Sequence, residues 1–204
     1  FSHNLACSNL AKGPKNYIFN VTKRWMDPNN DGDPEDGVDG WRLDVAEEIP
    51  HGFWQEWHEH VRNINPQAFT VAEIWGPSAV FIRENHFSAA MNYDGFAIPV
   101  KGWLIDAKIS TQEFVQRLEK SLNHRPTEIG LAMQNLVDSH DTQRVASAIV
   151  NRNTYKNYKD ANSYDYDNSL RVSSRSPGYI NTAPDTISRK IWKLVALFQV
   201  TYIG

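Results

Sequence analysis

The sequence predicts an α/β protein built on a parallel sheet. Segments with helical periodicity alternate along the chain with short runs of β-branched and apolar residues, an order typical of parallel strands joined by helical crossovers. About four such runs are present, enough for half of an eight-stranded barrel or for a small open sheet. With 204 residues, the chain is long enough for one domain with a good core or for an unusually compact pair, and residues 1–204 are interpreted as one domain.

The first half of the chain contains two predicted helices and two predicted strands. The run "KNYIFNVTKRWM" places Ile18, Val21 and Trp25 on one helical face. Short β-rich runs at 37–44 and 69–75 are the predicted strands. Between them, the helix predicted over 52–64 turns four apolar residues inward, namely Phe53, Trp57, Val61 and Ile64.

The second half repeats the alternation less regularly. A strand is predicted around Met91 to Tyr93, and an amphipathic helix, "TQEFVQRLEKSL", begins with Ser110 or Thr111 as its cap. A further apolar run ends at Asp141. The helix predicted in "DTISRKIWKLVALFQV" directs Ile187, Ile191, Leu194 or Val195, and Phe198 inward, and the final "TYIG" resembles the opening of another strand.

Composition excludes several classes of partner. A net charge of −3 offers no electrostatic attraction to nucleic acid or to an anionic membrane, and no run approaches the roughly 18 apolar residues of a membrane span. The first residues lack the pattern of a signal peptide, so the sequence leaves localisation open. Seven Trp and eight Tyr are many for this length, and such rings stack on sugars or fill large cores.

Three carboxylates follow three predicted strands. Asp44, Glu73 and Asp141 each stand at the end of an apolar run. The carboxyl ends of parallel strands share one rim, where the active sites of such folds form, so the three acids are expected to converge. An acid at a strand end is more often a helix cap or a loop residue, but three in the same relative position favour a site.

Sequence neighbours assign these carboxylates different roles. Arg42 lies two residues before Asp44, on the same face of the strand, and favours the ionised form that a nucleophile needs. Glu73 has apolar neighbours, whose desolvating effect favours the protonated form that a general acid needs. Paired carboxylates of this kind cleave glycosidic bonds. His140, beside Asp141, is positioned to donate a hydrogen bond to a sugar hydroxyl.

Three ordered blocks, "GWRLDVAEE", "VAEIW" and "LVDSHDTQR", resemble the α-amylase superfamily, glycoside hydrolase family 13. Within it they are similar to the neopullulanase, cyclomaltodextrinase and maltogenic amylase branch. The resemblance implies retaining cleavage of α-glucosidic bonds in starch-derived glucans such as pullulan, cyclodextrins and maltooligosaccharides, through a covalent glycosyl-enzyme. It also implies a (β/α)8 TIM barrel, of which this chain carries strands 4 to 7 and the start of strand 8.

The same resemblance implies roles for individual residues. Asp44 becomes the nucleophile, Glu73 the acid/base and Asp141 the stabiliser of the transition state, while Arg42 and His140 contact substrate. Trp75 and Glu47 are further candidates for substrate binding. Glu47 stands where the branch often has Asn, Gly76 follows Trp75 where a His is frequent, and Asp138 replaces a common Gly. These departures border the subsites and leave linkage preference and transfer activity open.

The first block of the family and the first strands of the barrel have no counterpart in the sequence. Half a barrel exposes two parallel edges, so the remaining strands are expected from a longer chain or from a complement, and the 204 residues alone are expected to be inactive. Association of identical copies stays open. Residues 151–186, rich in Tyr, Asn, Asp and Ser, are interpreted as a long loop on the active-site side of the barrel.

The acidic run "DPNNDGD" has the spacing of a calcium loop. The run spaces four oxygen-bearing residues two apart, with Gly32 at the bend, as in the first half of an EF-hand: Asp27, Asn29, Asp31 and Asp33. Val38 occupies the position of the closing Glu. A solvated acidic turn that leads into the strand is the simpler interpretation of the run, and a structural Ca²⁺ is the alternative. The predicted chemistry itself requires no cofactor.

Two alternatives to the hydrolase remain open from the sequence. An α-amylase or α-glucan transglycosylase would keep the fold and change the products. The other alternative is a non-catalytic fragment that only binds glucan. Such a protein would have no need to retain Asp44, Glu73 and Asp141 together, which argues against it.

Overall fold

The computed structural model describes residues 9–83, 86–152 and 179–204. The chain divides into two compact units, Phe1–Met91 and Asn92–Gly204. Most of the predicted loop 151–186 lies outside the described residues. Within the described ranges, no helix combines the length and the apolar character needed to cross a membrane.

The first unit alternates helices with parallel strands, as predicted. Its strands pair in the order β1–β2–β3, all parallel, with Gly40 opposite Phe69 and Leu43 opposite Ala72. The elements are helix α1 (Lys12–Met26), strand β1 (Gly40–Leu43), helix α2 (His51–Ile64), strand β2 (Phe69–Ala72), helix α3 (Ala79–Arg83) and strand β3 (Ala89–Ala90).

Gly40 allows β1 and β2 to approach closely at their beginning. A Cβ on Gly40 would lie 2.1 Å from the carbonyl oxygen of Phe69, on the neighbouring strand. Because that atom belongs to the backbone, any side chain here would displace the strand. The glycine therefore sets the spacing of the two strands that carry Arg42 and lead into Glu73.

Helices α1 and α2 pack through a face of α1 that differs from the predicted one. Thr22 and Met26 are the buried residues of α1, and the indole Nε1 of Trp57 donates a hydrogen bond of 2.9 Å to Thr22 Oγ1. Trp25, predicted to face inward, is 57% exposed. Helical periodicity identifies stripes of residues, but the neighbouring helix decides which stripe is covered. The predicted core face of α2 is confirmed by the burial of Phe53, Trp57 and Val61.

The second unit is mainly helical in its described part. A continuous helical run, Tyr93–Ile105, contains α4 (Ile98–Val100) between two wider π-type turns. Phe96 and Phe198 stack at the centre of its core with ring centroids 5.5 Å apart, surrounded by Val100, Phe114 and Val195. The remaining helices are α5 (Thr111–Asn123), α6 (Thr127–Gly130), α7 (Val145–Val150) and α8 (Thr186–Thr201).

Three expectations for the later strands and for α8 need correction. The strand predicted near Met91 lies at Ala89–Ala90. In the described residues, the apolar run before Asp141 forms no strand beyond an isolated bridge at Gln134, whose carbonyl accepts a hydrogen bond from Asn92 N–H. In α8, Val195 is buried whereas Ile187 is 63% exposed. Strand pairing and the burial of a helix face both depend on a neighbouring element, and the local sequence does not show which element that is.

Candidate active site

Asp44 and Glu73 lie side by side at the carboxyl ends of two paired strands. Leu43 and Ala72 are opposite each other in the parallel register, and the two acids are the residues that follow them. Glu73 N–H donates a 2.9 Å hydrogen bond to the Leu43 carbonyl, which continues the ladder beyond the last strand residue. The predicted convergence of these two carboxylates therefore occurs.

The guanidinium of Arg42 joins the two carboxylates. Its Nη1 donates to Asp44 Oδ1, and its Nη2 lies 3.0 Å from Glu73 Oε1. The planar fork of an arginine presents two donors in fixed directions, which suits two acceptors at once. The pairing of Arg42 with Asp44 was predicted from their spacing, whereas its contact with Glu73 was not.

The two carboxylates differ strongly in their access to solvent. The Asp44 side chain is 71% exposed, while that of Glu73 is 4% exposed. An exposed carboxylate next to a cation is suited to meet an incoming electrophile. A buried carboxyl exchanges protons only with the groups that contact it. The environments of the two acids are therefore different, as glycosidic cleavage by a carboxylate pair requires.

Glu73 accepts two hydrogen bonds besides its contact with Arg42. The Val45 N–H donates to Oε2 at 2.9 Å, and the Trp75 Nε1–H donates to Oε1 at 3.3 Å. Burial of Glu73 agrees with its apolar sequence neighbours. The Val45 donor was not predicted, because Val45 adopts a left-handed backbone conformation (φ 41°), which the sequence does not indicate for a β-branched residue.

Trp75 and Glu47 border the pair from two different turns. The hydrogen bond to Glu73 places the indole of Trp75 directly beside the buried carboxyl. Glu47 is half-buried in the turn Ala46–Glu48 that follows β1. Both positions are compatible with the predicted substrate contacts, which remain predictions.

His140 and Asp141 form a second acidic group, in the other unit. His140 Nε2 lies 3.2 Å from Asp141 Oδ2, and the Asp141 N–H donates to Ser139 Oγ at 3.1 Å. Tyr93 also donates to Ser139 Oγ, at 3.0 Å, a support that the sequence did not indicate. The joint action of Asp141 with Asp44 and Glu73 stays a prediction.

Asp138, which departs from the family pattern, has a structural partner. Its Oδ2 accepts a 2.7 Å hydrogen bond from Val145 N–H, the first amide of α7, and its Oδ1 lies 3.2 Å from Arg144 Nη1. A carboxylate at the beginning of a helix satisfies an otherwise unpaired amide. This residue therefore holds α7 to the segment that carries His140 and Asp141.

The four predicted calcium residues lie in the turn between α1 and β1. Asp33 Oδ1 accepts from Glu35 N–H at 3.0 Å and so begins the turn Pro34–Asp36. In the parts of the chain that the structure describes, no three side chains of His, Cys, Asp or Glu are grouped to hold a metal ion. Any cation in this turn would depend on amide and main-chain oxygens as well.

Comparison with known proteins relates the chain to carbohydrate enzymes. The family model "Alpha amylase, catalytic domain" matches residues 12–166. Neopullulanase 2 of Thermoactinomyces vulgaris is 36% identical over 130 residues, which are 64% of this chain and 21% of that protein. The chain thus spans about a fifth of the length of the curated relatives it matches.

Solved structures agree with the family match. A cyclomaltodextrinase structure aligns over 93% of this chain and 25% of its own length, with a TM-score of 0.65 and 29% identity. The cyclic α-maltosyl-(1→6)-maltose hydrolase of Arthrobacter globiformis, in complex with maltose, aligns over 69% of this chain and 31% of its own, with a TM-score of 0.62 and 28% identity.

In a parallel α/β sheet, paired acids at adjacent strand ends stand at the carboxyl rim, where the active sites of α/β enzymes form. The chain belongs to the α-amylase catalytic-domain family. The predicted family, its neopullulanase and cyclomaltodextrinase branch, and the interpretation of the fold as part of a (β/α)8 barrel are thereby confirmed.

Proposed function

We propose that the protein carrying this chain is a retaining glycoside hydrolase that cleaves α-glucosidic bonds in starch-derived glucans, among them pullulan, cyclodextrins and maltooligosaccharides. The observation that carries the proposal is the sharing of Arg42 by an exposed Asp44 and a buried Glu73. The names of the relatives, a neopullulanase and cyclomaltodextrinases, support the substrate class.

The geometry favours retention over inversion. Retaining enzymes hold their two carboxyl groups closer together than inverting enzymes, which need room for a water molecule between acid and base. Asp44 and Glu73 contact the two terminal nitrogens of one guanidinium, which keeps them near each other. That arrangement supports direct attack by one carboxylate on the sugar.

The proposed reaction has two steps. Asp44 attacks the anomeric carbon and forms a glycosyl ester, while Glu73 transfers its proton to the leaving glycosidic oxygen. Glu73 then removes a proton from water, which attacks the anomeric carbon and releases Asp44 as a carboxylate. Arg42 stabilises Asp44 in its charged form before and after the ester exists. In both steps, the bond-forming and proton-transferring groups are the carboxyls of Asp44 and Glu73.

The proposed roles of the remaining residues concern substrate. His140 and Asp141 hold sugar hydroxyls near the reacting carbon, and Trp75 offers a ring for stacking on the sugar beside Glu73. An acceptor sugar that replaces water in the second step would give transfer instead of hydrolysis. Longer or relinked oligosaccharides among the products would therefore identify a transglycosylase of the same fold.

The first test uses the full-length protein with pullulan and cyclodextrin as substrates. We expect Glu73→Gln to lower kcat by about 10²- to 10⁴-fold, because the amide cannot exchange the proton while its shape is preserved. Glu59→Gln, an exposed position on α2, is the matched control and should retain the wild-type rate.

Glucan binding measured on the same variants separates the alternatives. Binding without cleavage by the wild-type protein would replace the hydrolase proposal with a glucan-binding function. Wild-type cleavage that survives Glu73→Gln would remove Glu73 from the acid role. Residues 1–204 expressed alone are expected to show no cleavage, because half a barrel leaves the site incomplete.

A further inference from the structure

The turn that joins α1 to β1 places a buried carboxylate at the end of a helix. Asp27 is the residue that terminates α1, and it is only 6% exposed. The C-terminal end of a helix carries partial negative charge, so a buried carboxylate there is unfavourable unless a cation is close. Asp27 Oδ1 has no hydrogen-bond partner among the described residues.

The second oxygen of Asp27 shows where the carboxylate points. Asp27 Oδ2 accepts a 3.3 Å hydrogen bond from Gly32 N–H, at the opposite side of the turn. The carboxylate is thus directed into the turn 27–33, with Oδ1 left free to contact a further group. In a calcium loop, the first acid and the glycine at position six stand in this sequence relation.

The backbone of the turn follows the conformation that this relation requires. Gly32 has φ +86° and Asn30 has φ 60°, so both are left-handed, and the chain folds back upon Asp27. Asn29 Oδ1 accepts from Asp31 N–H at 2.9 Å, and Asp31 Oδ1 accepts from Asp33 N–H at 2.8 Å. Each of these side chains therefore lies within the turn, with oxygens that retain a second lone pair.

We propose that the turn 27–33 binds a single Ca²⁺ ion, with the buried Asp27 Oδ1 as its anchoring ligand. The side-chain oxygens of Asn29 and Asp31 and the main-chain carbonyl of Asp33 complete the protein ligands, and water supplies the remainder of the six to eight oxygens that Ca²⁺ takes. The Asp33 main-chain carbonyl is chosen because the seventh position of a calcium loop supplies a backbone oxygen, while the Asp33 carboxyl accepts from the Glu35 amide and begins the next turn.

Affinity is expected at the weak end of the range for calcium loops. The acid that normally closes such a loop at position twelve is absent, because Val38 stands there. Two carboxylates are then the only anionic ligands. Loops with few charged ligands bind with dissociation constants of about 10⁻⁴ to 10⁻³ M. Calcium would act as a brace between α1 and β1, the strand that carries Arg42, and it would take no part in the chemistry.

The test measures binding and stability directly on the full-length protein. After treatment with EDTA and its removal, calorimetric titration with CaCl₂ gives the number of ions per chain, and thermal unfolding with and without 5 mM CaCl₂, a concentration of about five to fifty times the expected dissociation constant, gives the shift in Tm. We expect Asp27→Asn and Asp31→Asn each to bind one ion fewer than wild type and to lose a matching part of the Tm shift. Asp36→Asn, exposed in the neighbouring turn, is the control and should bind as wild type.

A measurement without calcium distinguishes a ligand from a structural residue. In EDTA, Asp27→Asn should be at least as stable as wild type, since a neutral amide removes a buried charge. Equal calcium stoichiometry in wild type, Asp27→Asn and Asp31→Asn would overturn the proposal. Because Asp31 is exposed, its variant gives this answer even where Asp27→Asn fails to fold.

Discussion

At the end of strand β1, one guanidinium serves two acids. Glu73 is almost completely buried, so its contact with Arg42 compensates for part of the desolvation of its charge. A lysine would place a single point charge at the same position and could not present two directed donors. The identity of residue 42 as arginine thus follows from the two-carboxylate geometry, as well as from its pairing with Asp44.

Val45 stores backbone strain beside the site. Its φ of 41° is unfavourable for a β-branched residue, and its side chain is 49% exposed, so burial does not compensate. The left-handed backbone conformation directs the Val45 N–H toward Glu73 Oε2. The conformation is therefore part of how the carboxyl of Glu73 is held.

Replacement of Val45 tests this strain. We expect Val45→Gly to raise the free energy of unfolding by about 1 kcal/mol, because glycine adopts a left-handed conformation without a clash between Cβ and backbone. Val45→Ala removes nearly the same exposed atoms but keeps the Cβ, so it serves as the control and should gain less. Urea unfolding of the full-length protein measures both. An alanine variant as stable as the glycine variant would argue against strain.

At the scale of elements, hydrogen bonds join several helices to the turn or segment that precedes them. Trp54 Nε1 donates a hydrogen bond of 2.9 Å to the Ala46 carbonyl, which connects α2 to the turn that follows Asp44 in the sequence. Asp138 holds α7, and Asp185 accepts from Ser188 N–H at 2.7 Å to begin α8. These contacts position turns whose own sequences carry little structural preference.

The beginning of α5 offers a direct measure of one such contact. Ser110 accepts a 3.1 Å hydrogen bond from Glu113 N–H, which confirms the predicted cap. We expect Ser110→Ala to lower the free energy of unfolding by about 1 kcal/mol, because the helix loses an acceptor for a first-turn amide. Ser110→Asp keeps an acceptor and should stay near wild type. Equal thermal stability of the alanine and aspartate variants would contradict the capping role.

At the scale of the whole molecule, stability is expected to depend on pH through a half-buried histidine. Burial lowers the pKa of His58 from its ordinary 6.5, and the positive charge of Arg62 lowers it further. A hydrogen bond to the His86 backbone and the charge of Glu59 oppose this shift. His58 Nδ1 is buried and has no hydrogen-bond partner within the described residues. The folded state therefore resists protonation of this ring.

The sign of the effect follows from the lowered pKa. Below pH 6.5 His58 binds a proton more readily in the unfolded chain than in the folded chain, so the free energy of unfolding falls as the pH falls. Above pH 6.5 the ring is neutral in both states, and its contribution no longer changes with pH. We expect His58→Gln to reduce the loss of stability between about pH 7.5 and about pH 5.5, measured by urea unfolding at each pH. An unchanged loss in the variant would place the pH dependence elsewhere.

Local sequence was sufficient for several features of the fold and site. Helical and strand periodicity predicted helices α1, α2, α5 and α8 and the first two strands, but not the helical run Tyr93–Ile105. The spacing of Arg42 and Asp44 predicted their contact, because residues two apart in a strand share a face. The place of Glu73 after its strand predicted its convergence with Asp44, because parallel strands share a rim. These inferences depend only on residues close together in the chain or on the general geometry of parallel sheets.

The remaining features depended on contacts between distant residues. The burial of Thr22 in place of Trp25 is decided by Trp57, 35 positions away, and the donors to Glu73 come in part from Val45, 28 positions away. The free oxygen of Asp27 likewise became visible only when the turn had closed on Gly32. By itself the sequence determined four of the helices, the first two strands and the meeting of Asp44 with Glu73. The tertiary structure decided which faces are covered and which atoms hold those acids, because burial and hydrogen bonding belong to neighbours that the chain brings together only on folding.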